Sequence, residues 1–362
     1  MAEQAARHIE RPHFVLLDLA RFLAAACVVL FHYEHFFWQS PDPNRLPDPA
    51  VLPFAAVLTP IYLHGGLAVQ GFWALSGFVL AHAYLADPKA RARFWPARIA
   101  RLWPLHLITM VAAGALQAAY AARQGHDFVD PQFGWISLPR QILLMQIWWQ
   151  PEYYDYNTPT WSLSVEVACY LAFWLALPAL RKAPLLAPAL LAGGMFLFVR
   201  ADVVVSLLPI GGMVFFAGVA LYGAALRAQA RPRAMLAVLL AGTALAVLAI
   251  RLGLVRTVGS NGGVALAFAW LVAAELALVT PPPWLRRWFR TLGDATYGIY
   301  LWHIPIQLVL VLALGDSAAA HVLYRQPAFF AGYLVLVLGA GLASHRWIER
   351  PAQRAVLRAF AR

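Results

Sequence analysis

The chain has 362 residues, of which 62% are hydrophobic and only 12% are charged, and its formal net charge is +11. A soluble domain usually has about a quarter charged residues, so this composition excludes a soluble globular protein. The mean hydropathy of +0.64 instead indicates an integral membrane protein.

Ten apolar runs divide the chain, and each is about 17 to 25 residues long, which suffices to cross the hydrocarbon core of a bilayer as a helix. They lie at residues 14–37, 61–85, 97–121, 160–180, 184–199, 203–226, 234–250, 262–280, 292–314 and 328–347. We therefore predict an all-α integral membrane protein with about ten transmembrane helices, forming a single domain over residues 1–362. Residues 1–12 are charged and polar, and they do not predict a cleaved signal peptide.

The basic residues predict the topology of the chain. Their excess could suggest a nucleic-acid partner, but their distribution argues against one. If the N-terminus is cytoplasmic, most of the 28 Lys and Arg residues fall in cytoplasmic segments, as the positive-inside rule requires. Both termini are then cytoplasmic, and residues 348–362 form a short basic amphipathic tail that we expect to lie on anionic lipid.

The two cysteines, Cys27 and Cys169, both lie within predicted spans. They form no metal-ligand pattern, and their positions do not indicate a disulfide framework. We interpret both as small apolar packing residues and predict no metal site.

Two connections on the outer side are long. Residues 38–60 are rich in Pro and Asp and predict an extended loop. Residues 122–159 are too many for a structureless loop, and within them "FGWISLPRQILLMQIWWQ" predicts a helix that lies in the outer interface or re-enters the bundle. We interpret Trp148 and Trp149 as interface anchors rather than as residues that stack on a ligand.

The first span contains ionisable residues on one face. In "RFLAAACVVLFH", Arg21 and His32 are eleven residues apart. This separation is almost three helical turns, so the two side chains share a face about 16 Å apart, and Asp18 joins that face. Ionisable groups within a span are costly and are candidates for function. The alternatives are a neutralised Asp18–Arg21 pair near the cytoplasmic boundary and a hydrogen-bonded packing role for His32.

The fourth and ninth spans each have polar side chains at helical spacing. These are Ser162, Glu166 and Tyr170 in the fourth span, and Thr296, Tyr300 and His303 in the ninth. The predicted topology places Glu166 about 9 Å below the outer boundary, His303 near the middle and His32 in the outer half. We therefore expect these three residues to approach one another.

Pro305 follows His303 by two residues in the ninth span. A proline within a helix has no N–H donor, so the carbonyl of Leu301 loses its intrahelical partner. We expect the helix to bend just beyond His303.

Arg98 and Arg101 lie one turn apart at the cytoplasmic start of the third span. Two guanidinium groups on one face of a helix N-terminus form an anion site that the helix dipole favours. The alternative is that both residues only anchor the span by the positive-inside rule.

Six motifs occur in an order that resembles the bacterial membrane-bound acyltransferase-3 family, which acylates extracytoplasmic glycans. They are "LDLARFLAAACVVLFH", "LAVQGFWALSGFVLAHAYL", "FWPARIARLWPLH", "WSLSVEVACY", "LGDATYGIYLWHIP" and "WIERPAQR". The first resembles the family's first helix, with its arginine and histidine, and the fourth is similar to its Trp-Ser-Leu-Ser-x-Glu motif. Together they cover most of the chain.

The resemblance implies an acyl-CoA donor from the cytoplasm and an acceptor hydroxyl on the outer side of a bacterial inner membrane. It implies that His32 is the essential histidine, that Arg21 is its companion, and that Arg98 and Arg101 are donor-side cations. Gln70 departs from the family, which usually has an aspartate before the aromatic pair of the second helix. We assign no segment of the sequence to the esterase-like domain of some members, and we therefore expect transfer to be completed within the membrane domain or by a partner.

From these observations we predict a membrane O-acyltransferase that moves an acyl group, acetyl on family frequency, from acyl-CoA to a hydroxyl of a sugar or glycan. His32 acts as general base or nucleophile, and Glu166 orients its imidazole. The assigned residues are His32, Glu166 and Arg21 for catalysis, Arg98, Arg101 and Ser76 for the donor, and Asp18, Tyr170, Ser164, Tyr300 and His303 for the acceptor path or the surroundings of the site. We expect no bound cofactor, with acyl-CoA as co-substrate. The alternative is a secondary transporter that uses intramembrane His, Glu and Arg residues.

Overall fold

The computed structural model describes residues 15–37, 48–132, 134–149, 152, 154–200, 207–228, 232–251, 259–277 and 281–360. These ranges contain helices and turns but no strand. The prediction of an all-α integral membrane protein is confirmed. Residues 1–12, residues 38–47 of the outer loop, and the last two residues of the basic tail lie outside the described residues.

The α-helices follow one another along the chain. They are α1 (Val15–Phe31), α2 (Ala55–His64), α3 (Ala68–Tyr84), α4 (Phe94–Gln124), α5 (Leu138–Ile142), α6 (Trp161–Lys182), α7 (Leu186–Arg200), α8 (Leu207–Ala228), α9 (Pro232–Arg251), α10 (Gly259–Ala277), α11 (Pro283–Leu314), α12 (Ala318–Tyr324), α13 (Pro327–Ser344) and α14 (Arg350–Phe360). A 3-10 turn, His32–Phe37, continues α1, and a π-helical turn, His345–Glu349, joins α13 to α14.

Seven helical segments among the described residues are long and apolar enough to cross a membrane. They are Val15–Phe37, Ala55–Tyr84, Lys89–Gln124, Thr158–Lys182, Leu207–Arg227, Pro283–Leu314 and Pro327–Phe360. Each of the ten predicted runs overlaps one of the helices, including the shorter apolar helix Leu186–Val199. The number of ten spans and their orientation stay predictions.

Close helix crossings hold the bundle together through small residues. A Cβ atom at Gly77 of α3 would overlap the carbonyl oxygen of Phe215 in α8, and one at Gly218 of α8 would overlap that of Ala74 in α3. Helices in lipid associate mainly through such close packing. Lipid chains are as apolar as the side chains, so the hydrophobic effect does not drive the helices together. The glycines therefore set the distance between α3 and α8.

The start of α1 is held by Glu275 of α10. Its carboxylate accepts hydrogen bonds from the backbone N–H groups of Val15 at 2.9 Å, Leu16 at 2.5 Å and Leu17 at 3.3 Å. The first N–H groups of a helix have no intrahelical partner. A negative charge there is also attracted by the positive end of the helix dipole. Glu275 lies within a predicted span, and the sequence does not predict its contact with the start of α1.

The carbonyl of Leu301 in α11 has the environment that Pro305 requires. The side-chain amide of Asn157 donates a hydrogen bond to this carbonyl at 2.9 Å, and Asn157 is fully buried. The outer connection therefore satisfies the acceptor that the proline leaves without an intrahelical partner. It also attaches the residue that precedes the fourth span to α11, two residues before His303.

The predicted helix in the outer connection is shorter than expected. Only Leu138–Ile142 is α-helical, and Leu144 has a positive φ of 55°, which ends the helix. Ser137 and Gln141 donate hydrogen bonds to the buried carboxylate of Asp155. This segment is therefore a compact loop tied to itself by polar contacts.

The two tryptophans of this connection differ. Trp148 donates its indole N–H to the carbonyl of Ser164 at 2.9 Å and packs on the core. Trp149 is 52% exposed and contacts Arg140. Only Trp149 therefore has the exposure of an interface anchor.

The orientation can be tested by labelling single cysteines in intact cells. In a background with Cys27 and Cys169 replaced by alanine, Trp135→Cys should react with a membrane-impermeant reagent and Lys182→Cys should not. Both positions are exposed, and Trp135 is 85% exposed. The reason is the charge distribution, which places residues 122–159 outside. Labelling of Lys182→Cys without labelling of Trp135→Cys would reverse the topology.

Candidate active site

A cavity of about 310 Å³ lies between α1, α3, α4, α6 and α11. It contains most of the residues that the sequence analysis selected: Arg21, Ser76, Arg98, Arg101, Glu166, Tyr170 and Tyr300. Phe72, Trp73 and Leu163 are among its apolar walls. An apolar cavity with a few converging polar groups is the usual form of a small-molecule site.

Glu166 forms a hydrogen-bonded cluster with Ser76 and Tyr170. The hydroxyls of both residues donate to Oε1 of Glu166 at 2.6 Å. The predicted shared face of Glu166 and Tyr170 is therefore present, and Ser76 on α3 completes it. Among the hydrogen bonds of the described residues, none joins Glu166 to the His32 imidazole. The carboxylate is directed toward α3 and Tyr170 instead.

Arg98 lies over the ring of Tyr170, with its guanidinium carbon 5.8 Å from the ring centre. Its Nε atom is buried and forms no hydrogen bond with any described residue. A buried guanidinium N–H without an acceptor is costly. Arg98 is therefore a cation in the cavity wall with unused capacity to donate.

Arg101 has a different environment. Its guanidinium forms an ion pair with Glu349 at 2.9 Å and lies 5.2 Å from the ring centre of Tyr297. Glu349 is only 2% exposed and belongs to the π-helical turn, a feature that is frequent at functional sites. The sequence predicts the same role for both arginines and none for Glu349. A glutamate directly after an apolar span was the signal for it.

Arg21 lies between the cavity and Asp18. The two charged groups are 3.7 Å apart, so the neutralised pair proposed from the sequence is present. Arg21 also lines the cavity, whereas Asp18 does not. A Cβ atom at Gly293 of α11 would lie 2.9 Å from the Cβ of Asp18, which brings α11 against this part of α1.

His32 and His303 contact each other beyond the cavity. Nδ1 of His32 is 2.9 Å from Nε2 of His303, and the two ring planes are only 12° apart with their centres 5.1 Å apart. The predicted approach of α1 and α11 at these residues is therefore confirmed. Neither histidine lines the cavity.

Tyr300 separates the cavity from the two histidines. Its hydroxyl is 2.6 Å from the Ser162 hydroxyl and donates to the carbonyl of Pro159 at 2.9 Å. Its ring lies 6.0 Å from that of Phe72. Tyr300 and Phe72 thus form an aromatic layer at this end of the cavity, and His303 lies about one turn beyond it.

Ser164 differs from expectation, and Gln70 has an unusual environment. Ser164 is fully buried and bonds through its hydroxyl to the backbone N–H of Ile147 at 3.5 Å. It faces the outer connection rather than the cavity, because Ser162 and Glu166 occupy the cavity face of α6. The side-chain oxygen of Gln70 is buried without a hydrogen bond from the described residues.

The chain matches one family model and is similar to parts of two known proteins. The acyltransferase-3 family model, described as an acyltransferase domain, matches residues 14–346. Acyltransferase MdmB of Streptomyces mycarofaciens is 39% identical over 123 residues, which cover 33% of this chain and 30% of that protein. Protein 2 in picA locus of Rhizobium radiobacter is 38% identical over 111 residues, which cover 30% of this chain and 45% of that protein. The chain thus matches less than half the length of either relative, and no solved structure matches it.

Proposed function

The chain belongs to the acyltransferase-3 family, and on that premise we propose that it transfers an acyl group from cytoplasmic acyl-CoA to a hydroxyl of an extracytoplasmic sugar or glycan. Acyl transfer in a membrane follows from the family. The donor, the acceptor and the bacterial inner membrane as its location belong to the proposal. The observation that carries it is one cavity that joins Arg98, Arg21 and the Glu166 cluster.

The donor site is proposed at the end of the cavity lined by Arg98. A guanidinium suits phosphate because it is permanently charged and offers several fixed donors. The free Nε of Arg98 supports this assignment. Arg21 and His32 are about 16 Å apart along α1, which is of the order of an extended pantetheine arm. A thioester could therefore reach His32 while the nucleotide stays near Arg98, once Tyr300 and Phe72 move apart.

His32 is proposed to act on the acceptor hydroxyl. As general base it takes the hydroxyl proton while the oxygen forms a bond to the thioester carbonyl carbon. The carbon–sulfur bond then breaks, and the CoA thiolate receives the proton from His32. As nucleophile, His32 would first bind the acyl carbon itself and release the thiolate. It would then pass the acyl group to the hydroxyl oxygen, while the hydroxyl proton goes to the CoA thiolate. Both routes need a histidine nitrogen that has no proton.

The experiment is turnover of acetyl-CoA by the purified protein in proteoliposomes. Acetyl is the first donor to test because it is the most frequent in the family. We expect release of CoA thiol, increased by glycan fractions that contain free hydroxyls, with radiolabelled acetate recovered in the glycan. Uptake of a labelled solute without any thiol release from acetyl-CoA would favour the transporter instead.

A further inference from the structure

His32 and His303 are two members of a directed chain of hydrogen bonds. Nδ1 of His303 is 2.7 Å from the backbone carbonyl of Tyr300, and its Nε2 is 2.9 Å from Nδ1 of His32. His303 is fully buried. Among the described residues, no carboxylate forms a hydrogen bond with either ring.

The end of this chain fixes the position of every proton in it. A backbone carbonyl can only accept a hydrogen bond, so Nδ1 of His303 must carry the proton. In a neutral imidazole the other nitrogen is then a bare acceptor, so Nε2 of His303 accepts from His32. Nδ1 of His32 therefore carries a proton, and Nε2 of His32 does not.

We propose that His303 is a positioning residue that holds His32 in the Nδ1–H tautomer, so that Nε2 of His32 is the reacting nitrogen. This inference rests on the proposed function of His32. The residue that orients the His32 imidazole is then His303, which the sequence places in the acceptor path or the surroundings of the site. Glu166, the residue that the sequence predicts for this role, does not have it. When Nε2 of His32 takes the proton of the substrate hydroxyl, the imidazole becomes positively charged. The hydrogen bond from Nδ1 of His32 to His303 is then charge-assisted and therefore stronger.

The backbone of His32 is fixed by a separate contact. The side chain of Gln307 donates a hydrogen bond to the backbone carbonyl of His32 at 2.7 Å, which fixes the turn that follows α1. The His35 ring lies with its centre 5.0 Å from that of His32. His303 thus provides the hydrogen bond to the ring, while Gln307 fixes the backbone.

The test compares two substitutions of His303 with one matched control. His303→Leu removes the acceptor for Nδ1–H, and kcat should fall about 10- to 150-fold, as for the loss of a hydrogen bond to a charged group, with KM for acyl-CoA unchanged. His303→Gln keeps an amide oxygen that can accept this bond, and it should recover most of the lost kcat. His106→Leu removes another fully buried histidine that bonds to a backbone carbonyl, that of Gln141, and kcat per folded molecule should not change.

A second measurement does not depend on the folding of any His303 variant. Long-range proton–nitrogen correlation spectra of ¹⁵N-histidine-labelled wild-type protein should show the Nδ1–H tautomer for His32, identified by its loss in His32→Ala. The Nε2–H tautomer would overturn the proposal, and so would wild-type kcat in a folded His303→Leu protein. If the proposed function itself is wrong, His32→Ala will retain turnover. If only this inference is wrong, turnover will require His32 but not His303.

Discussion

Replacing His32 with alanine should abolish acyl transfer while the protein still inserts, remains monodisperse and binds acyl-CoA. Loss of a general base costs about 10²- to 10⁴-fold in rate, and loss of a nucleophile costs more. Donor binding should persist because His32 does not line the cavity that contains Arg98. The measurement is acyl transfer per folded molecule, with acyl-CoA binding measured on the same preparation.

A packing role for His32 predicts the opposite pattern. His32→Ala would then express poorly, and its residual activity would scale with the amount of folded protein. His64→Ala is the matched control, because it removes an exposed histidine at the end of α2. Transfer by folded His32→Ala at the wild-type rate would contradict the proposed function.

Arg98→Gln should weaken acyl-CoA binding about 10- to 150-fold, corresponding to the roughly 1.5–3 kcal/mol of a charge-assisted hydrogen bond. The reason is that, among the described residues, Arg98 forms no ion pair with a carboxylate within 4 Å, and its buried Nε atom has no acceptor. The loss should nearly vanish for an acyl-pantetheine donor, which lacks the nucleotide phosphates. Arg286→Gln, which removes an exposed arginine at the start of α11, should leave the binding of both donors unchanged.

Arg101→Gln should act mainly on stability. It leaves the buried carboxylate of Glu349 without its cation, and breaking a buried ion pair from one side costs about 3–5 kcal/mol. Thermal unfolding in detergent should show this loss, and Arg101→Gln/Glu349→Gln should recover part of it.

The Arg98 prediction is contradicted by a different outcome. If Arg98→Gln weakens the binding of acyl-CoA and of acyl-pantetheine equally, Arg98 serves topology or folding rather than phosphate binding.

Local features of the site were predictable because they depend on the periodicity of a single helix. Glu166 and Tyr170 share a face since four residues make about one turn, and their hydrogen bond confirms this. Arg98 and Arg101 lie together at the start of α4 for the same reason. Pro305 indicated that the carbonyl of Leu301 needs a partner, although it did not indicate that Asn157 would provide it.

Contacts between helices were harder to predict. Helical spacing specifies which side chains share a face, but not which neighbouring helix that face meets. Arg101 meets Glu349 across 248 residues of sequence, and no pattern near either residue indicates this pairing. Ser164 belongs to the Trp-Ser-Leu-Ser-x-Glu motif, and its predicted place is in the acceptor path or the surroundings of the site. Its helix turns it toward the outer connection instead.

The sequence by itself determined that this is a helical membrane protein of the acyltransferase-3 family, because hydropathy and motif order can be read along one dimension. It also determined which side chains are costly to place in lipid, and so indicated where function lies. Only the tertiary structure decided how these side chains are paired. His32 meets His303 rather than Glu166, and Arg101 forms an ion pair with Glu349 while Arg98 lies over the ring of Tyr170. The physical reason is that hydrogen bonds and ion pairs extend only about 3–4 Å, so which groups pair depends on how α1, α4, α6 and α11 pack together.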